Sequence, residues 1–158
     1  MVRFDASVSG SQKIDFGNFF MPPGTNQFTM CAFMSYDRSS SDSDNRVFGQ
    51  YNGGSNQAFS LILDEKSNDS SKRVLQFRLN TGSVTAFNTV PLSPSKIYHV
   101  AGVYNGSEMT VFVNGKEVGS TGKTGNITVQ DTWNLVIGNR PDNQRSFEGL
   151  IGDCRVYN

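Results

Sequence analysis

Asn-Gly occurs twice in Y-H-V-A-G-V-Y-N-G-S-E-M-T-V-F-V-N-G-K-E-V-G, residues 98–119, each time between runs of alternating apolar residues. Two-residue hairpin loops of type I′ hold both central residues at positive φ, which Asn and Gly tolerate best. Asn105-Gly106 and Asn114-Gly115 are therefore expected at the tips of two tight hairpins. The segment becomes three antiparallel strands in a row, carrying Val100 to Tyr104, Met109 to Val113 and Glu117-Val118. Alternation with a period of two turns one face of this meander into a core and the other away from it.

The rest of the chain repeats the pattern. Strand-like runs such as F-T-M-C-A-F-M-S-Y, R-V-F-G-Q-Y, A-F-S-L-I-L, R-V-L-Q-F-R-L and L-I-G-D-C-R-V-Y alternate with turn clusters such as M-P-P-G-T-N, N-G-G-S-N and K-S-N-D-S-S-K. Turn signals at this short spacing mark a sandwich or barrel. Twelve Phe, five Tyr and one Trp supply bulky core material, while Ala and Glu are scarce and no stretch keeps a helical period. The expected fold is all-β, about a dozen strands in two antiparallel sheets packed as one β-sandwich. At 158 residues it is read as a single domain over 1–158.

Composition also narrows the partners. Lys+Arg and Asp+Glu balance at 14 each, so no net field draws in nucleic acid or an anionic membrane. No apolar run approaches a membrane-spanning length, and Asp5 interrupts the start before any leader-like apolar block. In F-T-M-C-A-F-M-S, Met30 and Ala32 share a face and Cys31 takes the other, whereas Cys154 shares its face with Val156, the expected core face. The two cysteines are thus expected as free thiols, which suits a reducing folding compartment.

The segments H-V-A-G-V-Y-N-G-S-E-M-T-V-F-V-N-G-K-E-V and L-V-I-G-N-R-P-D-N-Q-R-S-F-E-G-L-I-G-D-C-R-V-Y-N resemble the laminin-G-like, concanavalin-A-like jelly roll. V-R-F-D-A, K-I-D-F-G-N and F-T-M-C-A-F-M resemble that family's opening strands, so the likeness covers nearly the whole chain. The resemblance implies a jelly-roll β-sandwich found in glycan binders, protein binders, enzyme appendages and parts of bacterial-virus particles. It also implies a structural calcium, for which Asp5 and Asp153 are the matching acids, although Gly152 stands where the family's final strand usually has an acid and Ala6 where it has Gly. The pentraxin branch bridges positions matching Cys31 and Ala101; with alanine here, that disulfide cannot form.

Catalysis finds little support in the residues. His99 is the only histidine, no G-x-S-x-G elbow accompanies it, and no strand carries alternating carboxylates of the kind that flank a scissile glycosidic bond. Asp37, Asp42 and Asp44 lie in a Ser-rich loop that lacks the glycine and closing glutamate of a calcium-binding EF-hand. Three N-glycosylation sequons, at Asn68, Asn105 and Asn126, are what an Asn-, Ser- and Thr-rich chain produces by chance.

Glycan sites join planar hydrogen-bonding groups to an aromatic face, and two loops have that content. They contribute Tyr51, Asn52 and Asn56, and Arg140, Asp142, Asn143 and Arg145. Phe33, Phe112 and Tyr157 offer an alternative aromatic platform on a sheet face. A strand beginning just after Met1 and another ending at Asn158 suggest a small product ordered to its ends. The expected function is a non-enzymatic display and recognition module with no required cofactor. Its most concrete form is a decoration or fibre component on the surface of a bacterial-virus particle, folded in the host cytoplasm. There it would contact other subunits, with a homo-oligomer as one form, and cell-surface glycans, but no nucleic acid and no membrane interior. The alternative is a free-standing extracellular lectin-like module, assisted by calcium.

Overall fold

The computed structural model describes residues 1–5, 12–37, 44–52, 56–65, 73–81 and 84–158. Twelve strands are seen: β1 (Val2–Phe4), β2 (Ile14–Asn18), β3 (Phe28–Tyr36), β4 (Asp44–Tyr51), β5 (Gln57–Glu65), β6 (Arg73–Asn80), β7 (Val84–Leu92), β8 (Tyr98–Tyr104), β9 (Glu108–Val113), β10 (Lys116–Gly122), β11 (Asn134–Ile137) and β12 (Gly149–Tyr157). They form two six-stranded antiparallel sheets, β1-β12-β3-β8-β9-β10 and β2-β11-β4-β5-β6-β7. No helix occurs among the described residues, as expected for a jelly-roll sandwich.

The meander forms as the Asn-Gly pairs predict, but by two different turns. Asn114 and Gly115 both take positive φ, 52° and 76°, and Val113 pairs with Lys116, which is the type I′ geometry. At the other tip only Gly106 is left-handed, with φ 92°. The Asn105 N–H donates to the Glu108 carbonyl, and the turn runs through Gly106 and Ser107 with glycine first, the placement favoured by type II′. The reason lies in the Asn105 side chain. Its Oδ1 accepts from the Ser107 N–H, the Ser107 hydroxyl and the Glu108 N–H at 2.8–3.0 Å, a set that holds Asn105 ahead of the turn. The third strand is also longer than Glu117-Val118, reaching Gly122 past a bulge.

Asn114 ties the tip of the second hairpin to β8 twice over, since its Oδ1 accepts from the His99 N–H at 2.9 Å and its own N–H donates to the His99 carbonyl at 2.7 Å. Asn114→Ala would lose the side-chain bond and place a Cβ-bearing residue at positive φ without compensation. The expected cost is about 2 kcal/mol in chemical denaturation.

Between the sheets, Phe28, Met30, Ala32 and Met34 of β3 face Phe59, Leu61 and Leu63 of β5 and Leu75, Phe77 and Leu79 of β6. The Phe28 ring sits 5.1 Å from Phe59 and 6.0 Å from Phe77. Phe77 comes so close to β8 that a Cβ at Gly102 would lie 2.8 Å from its ring, so this crossing requires glycine. A register shift in β12 between Gly152 and Arg155 sets Asp153 at φ 50° and leaves Cys154 packed against the core beside Val156. Cys31 and Ala101 are cross-strand partners, and both cysteines are free thiols.

Candidate functional site

Polar residues on three adjacent strands turn away from the core on the second sheet, alternating along each strand except where β4 shifts register after Arg46. They are Asp44, Arg46 and Tyr51 of β4, Ser60 and Asp64 of β5, and Gln76 and Arg78 of β6, with Ile62 among them. Register lines them up: Asp44 lies opposite Asp64, Arg46 opposite Ile62 and then Gln76, and Ser60 opposite Arg78. An outward-facing row of this kind is normally solvated, yet Tyr51 is 0% exposed and Arg46 only 2%.

Arg46 is the hub. Its Nη2 pairs with Asp44 Oδ2 at 3.1 Å, and its guanidinium carbon lies 5.6 Å from the centre of the Tyr51 ring. Asp44 Oδ2 also meets Arg78 at 3.4 Å, and Arg78 in turn donates to Gln76. Burial lowers the Arg46 pKa, with Tyr51 and Asp44 opposing that effect and Arg78 and Arg140 adding to it. Burial raises the Tyr51 pKa, and Arg46 partly offsets it. The Tyr51 hydroxyl lies against Ser60 without forming a well-aligned hydrogen bond.

The segment from Gly138 to Phe147 runs beside the first half of β4 and brings Arg140 and Asp142 to this face. Asn139, 0% exposed, organises it: its Oδ1 accepts from the N–H groups of Arg140 and Arg145, and its Nδ2 donates to the Ser146 hydroxyl. The Gly138 N–H donates to the Val47 carbonyl and the Arg46 N–H to the Arg145 carbonyl, so the segment is pinned to the strand at both ends. Arg140 and Asp142 form a two-point ion pair, Nε to Oδ1 at 3.0 Å and Nη2 to Oδ2. That bond raises the Arg140 pKa and lowers that of Asp142.

Of the loop residues expected to bind glycan, the structure brings Tyr51, Arg140 and Asp142 to one cluster. Tyr51 needs a correction: its ring is enclosed, so no sugar can stack on it, and it serves instead as the floor under Arg46. Asn52 and Asn56 are exposed at the far end of β4 from Asp44, joined by Asn52 N–H to Asn56 carbonyl, and residues 53–55 between them lie outside the described residues. Asn143 is exposed at φ 61°, a turn residue whose N–H donates to the Arg140 carbonyl. Arg145 contributes its backbone to the loop. Arg46, Arg78 and Asn139 were missed by the sequence reading. The alternation D-x-R in β4 and Q-x-R in β6 was the available signal for the first two.

The acids matched to calcium do not converge. Asp5 follows the end of β1 that pairs with Gly149, while Asp153 lies beyond the other end, next to Gly152 and Met1. About five residues of strand separate their levels, roughly 15 Å. Asp153 is held by Arg155 at 2.7 and 3.0 Å. Asp37 pairs with Arg3 at 2.6 Å, Asp42 lies outside the described residues, and no cluster of three metal-ligating side chains exists among the described residues. The residues present therefore do not fit a shared calcium site. Phe33, Phe112 and Tyr157 share the outer face of the first sheet but on three different strands and levels, and Phe33 packs on His99 with ring centres 4.9 Å apart.

Comparison with known proteins adds the context. No curated protein matches the chain in sequence. Among solved structures, a heptameric SAP-like pentraxin from Limulus polyphemus aligns with TM-score 0.69 and 21% identity, over 98% of this chain and 73% of that one. The enzymatically active domain of bacteriophage CBA120 tailspike protein 2 aligns with TM-score 0.67 and 15% identity, over 98% of this chain but 24% of the tailspike. The CBM40 of Ruminococcus gnavus IT-sialidase, bound to α2,3-sialyllactose, aligns with TM-score 0.65 and 14% identity, over 91% of both chains. Identities this low establish the fold alone. The family model of the concanavalin A-like lectin/glucanases superfamily (Laminin_G_3) matches residues 8–158, and the chain belongs to that family.

Proposed function

We propose that this protein is a non-catalytic recognition module that binds glycans on the outer face of its second sheet, around Arg46, Asp44, Arg78, Arg140 and Asp142. The observation that carries this reading is the convergence of planar, directional hydrogen-bonding groups from three strands and one pinned loop. Sugar recognition needs such groups held rigidly, because each hydroxyl must be met in register. The lectin-like fold and the carbohydrate-binding neighbour are consistent with it. Catalysis fits poorly. Asp44 is tied to two arginines, Asp64 meets Gln76, and Asp142 has its pKa lowered by Arg140, the reverse of what a carboxylic acid donor needs.

Glycan-array screening of the intact chain followed by titration calorimetry tests the reading. Arg140→Ala removes a side chain at the rim of the cluster and is expected to weaken binding at least tenfold while leaving the melting temperature within a few degrees. Equal binding by the variant and the parent would place the site elsewhere.

A second reading, display on a virus particle as one subunit among several, draws on the other sheet. Phe33, Tyr157 and Met1 are 39%, 50% and 56% exposed on or beside the outer face of β1, β12 and β3, so that face has apolar area available for a neighbouring subunit. The two readings are compatible, one using each sheet. Light scattering is expected to give a mass of a trimer or larger ring if the face joins copies of the chain. A monomer would leave attachment to a different protein as the remaining form of this reading.

A further inference from the structure

Asp153, Arg155 and Tyr157 alternate along the end of β12 and are exposed together on the outer face of the first sheet. They are tied to one another. Arg155 donates to both Asp153 oxygens, Nε to Oδ1 at 2.7 Å and Nη2 to Oδ2 at 3.0 Å, and its Nη1 donates to the Tyr157 hydroxyl at 3.2 Å. A lone exposed ion pair is loose, but a two-point pair that continues to a third side chain fixes where each one stands. Asp153 reaches its place at φ 50°, a conformation that strains a residue with a side chain. The β12 bulge thus holds backbone strain, and its product is a solvent-facing tyrosine clamped by its hydroxyl.

Tyr157 is one wall of an open groove of about 280 Å³. Register explains where the groove lies: Tyr157 pairs with Thr29 and Thr29 with Val103, a row across β12, β3 and β8. Gln27 and Asn105, one alternation beyond Thr29 and Val103, line it as well. Asn105 offers a donor in a fixed orientation. Its Oδ1 already accepts from the Ser107 N–H, the Ser107 hydroxyl and the Glu108 N–H, so the amide cannot turn over. Its Nδ2 then has no partner among the described residues, and the Gln27 amide and Thr29 hydroxyl are likewise unengaged there. None of the lining side chains is charged.

We propose that this groove is a second carbohydrate site, on the opposite sheet from the Arg46 face, and that it takes one neutral pyranose ring of a glycan. A pyranose has a face of C–H groups and a rim of hydroxyls. The face packs on the Tyr157 ring, and the hydroxyls meet Asn105 Nδ2, Thr29 and Gln27. The volume lies just under the roughly 300 Å³ at which ligand pockets begin, which suits a single ring. Neutral sugar is favoured over uronate or sialate because an anion would leave water without a free cation to meet it. Arg155, the cation that touches Tyr157, is already paired with Asp153. Asp153 and Arg155 are positioning residues, acting on the ligand only through the tyrosine. The site stands without the second-sheet reading, none of whose residues it uses. It takes Tyr157 from the apolar area offered to a neighbouring subunit and leaves Phe33 and Met1, which meet Gly152 further along the face.

The test is NMR titration of the isotope-labelled intact chain with the methyl glycosides of galactose, glucose, mannose and N-acetylglucosamine, and with methyl glucuronide. At least one neutral glycoside is expected to bind saturably in the millimolar range, independently of salt. Its shifts should centre on the Asn105 side-chain amide and the backbone amides of Thr29, Val103 and Tyr157. Methyl glucuronide is expected to bind severalfold more weakly than methyl glucoside. Tyr157→Ala should weaken binding at least tenfold. Asp153→Gly relieves the positive φ and releases Arg155, so its melting temperature should equal or exceed the parent's while affinity falls severalfold; a merely structural bulge would show no fall. Arg140→Ala, on the other sheet, should leave these shifts unchanged, so the two sites fail separately. No saturable shift with any neutral glycoside, or full affinity in Tyr157→Ala, would overturn the proposal whatever the second sheet binds. Full affinity in Asp153→Gly would overturn the role of the clamp, and tighter binding of the glucuronide would overturn the choice of a neutral ring. A parent oligomer that Tyr157→Ala splits into monomers, with no glycoside shifts, would assign the residue to subunit contact instead.

Discussion

Gly149→Ala is expected to lower the melting temperature by roughly 10–15 °C, the largest effect of any conservative single substitution in the described chain. Gly149 sits in the middle strand of β1-β12-β3, opposite Phe4 on one side and Tyr36 on the other. Its φ is +135°, a conformation that residues with a side chain rarely adopt, and a Cβ there would stand 2.1 Å from the Ser35 carbonyl oxygen and 2.8 Å from the Tyr36 Cα. Backbone atoms cannot step aside as a side-chain tip can. Relief requires moving β3 away from β12, the pairing that joins the last strand to the core. Strain from the backbone conformation and overpacking sum to about 3–5 kcal/mol, which for a chain of this size converts to the stated shift. Gly122→Ala is the control, because a Cβ there meets nothing within 4 Å and the φ is ordinary. Gly138→Ala is informative between them: its φ is +82° and the clash, at 2.2 Å, is with the Phe4 ring, which can tilt. If Gly149→Ala melted with Gly122→Ala, the close approach of β12 to β3 would be refuted.

The fold was legible because its instructions are local. Alternation in F-T-M-C-A-F-M-S gives the inner face of β3 as Phe28, Met30, Ala32 and Met34, and all four are buried as that parity requires. Asn114-Gly115 specifies a turn by backbone conformation alone, and the turn is there. Asn105-Gly106 shows the limit of that logic. The same dipeptide yields a different turn because Ser107 and Glu108 offer three donors to the Asn105 side chain, and side-chain hydrogen bonding then outweighs the dipeptide's own preference. The β12 bulge was likewise invisible, since nothing in I-G-D-C-R-V marks Asp153 as the residue that turns left-handed.

The site was less legible, and for a physical reason. Loop residues were expected to bind because loops hold turn-forming Asn, Asp and Arg in any case. What gathers a cluster is instead the register of β4, β5 and β6, a long-range property that places Arg46, Ser60, Gln76 and Arg78 side by side. Tyr51 stands next to Asn-Gly-Gly in the sequence, but the register shift in β4 after Arg46 sets it on the covered row with that arginine, against simple alternation. Asn139 looked like another turn residue in I-G-N-R-P-D, yet its buried amide holds the segment that delivers Arg140 and Asp142.

Stability should fall steadily as pH rises from 9 toward 12, by more than electrostatic repulsion on a chain of balanced charge would produce. The Cys154 thiol is pushed up to about 12 by burial, with Cys31 and Asp153 adding to the shift. Tyr51 and Tyr104 are also raised, both by burial, and Tyr104 additionally donates its hydroxyl to the Gly125 carbonyl at 2.6 Å. In the unfolded chain these groups lose their protons near 9 for the thiol and 10 for the phenols. Above those values the folded state holds more protons than the unfolded one, so each further pH unit favours unfolding. Stability contributed by the neutral, buried forms is intact below pH 9 and lost as pH climbs toward the folded values. For Cys154 alone, three pH units of one proton correspond to a loss of up to roughly 4 kcal/mol. Guanidinium denaturation of the parent chain at pH 8, 9.5 and 11 should show the midpoint dropping at each step. Tyr51→Phe keeps the ring beneath Arg46 and removes its proton, so its midpoint should fall less steeply above pH 10 than the parent's. Cys154→Ala should lose a little stability at pH 8 from the vacated volume and then lose less than the parent up to pH 11. Parallel slopes for all three proteins would mean that the buried row of the second sheet and the β12 bulge open to water before their groups titrate. The enclosure of Tyr51 beneath Arg46 would then be wrong, and with it the floor on which the recognition face is built.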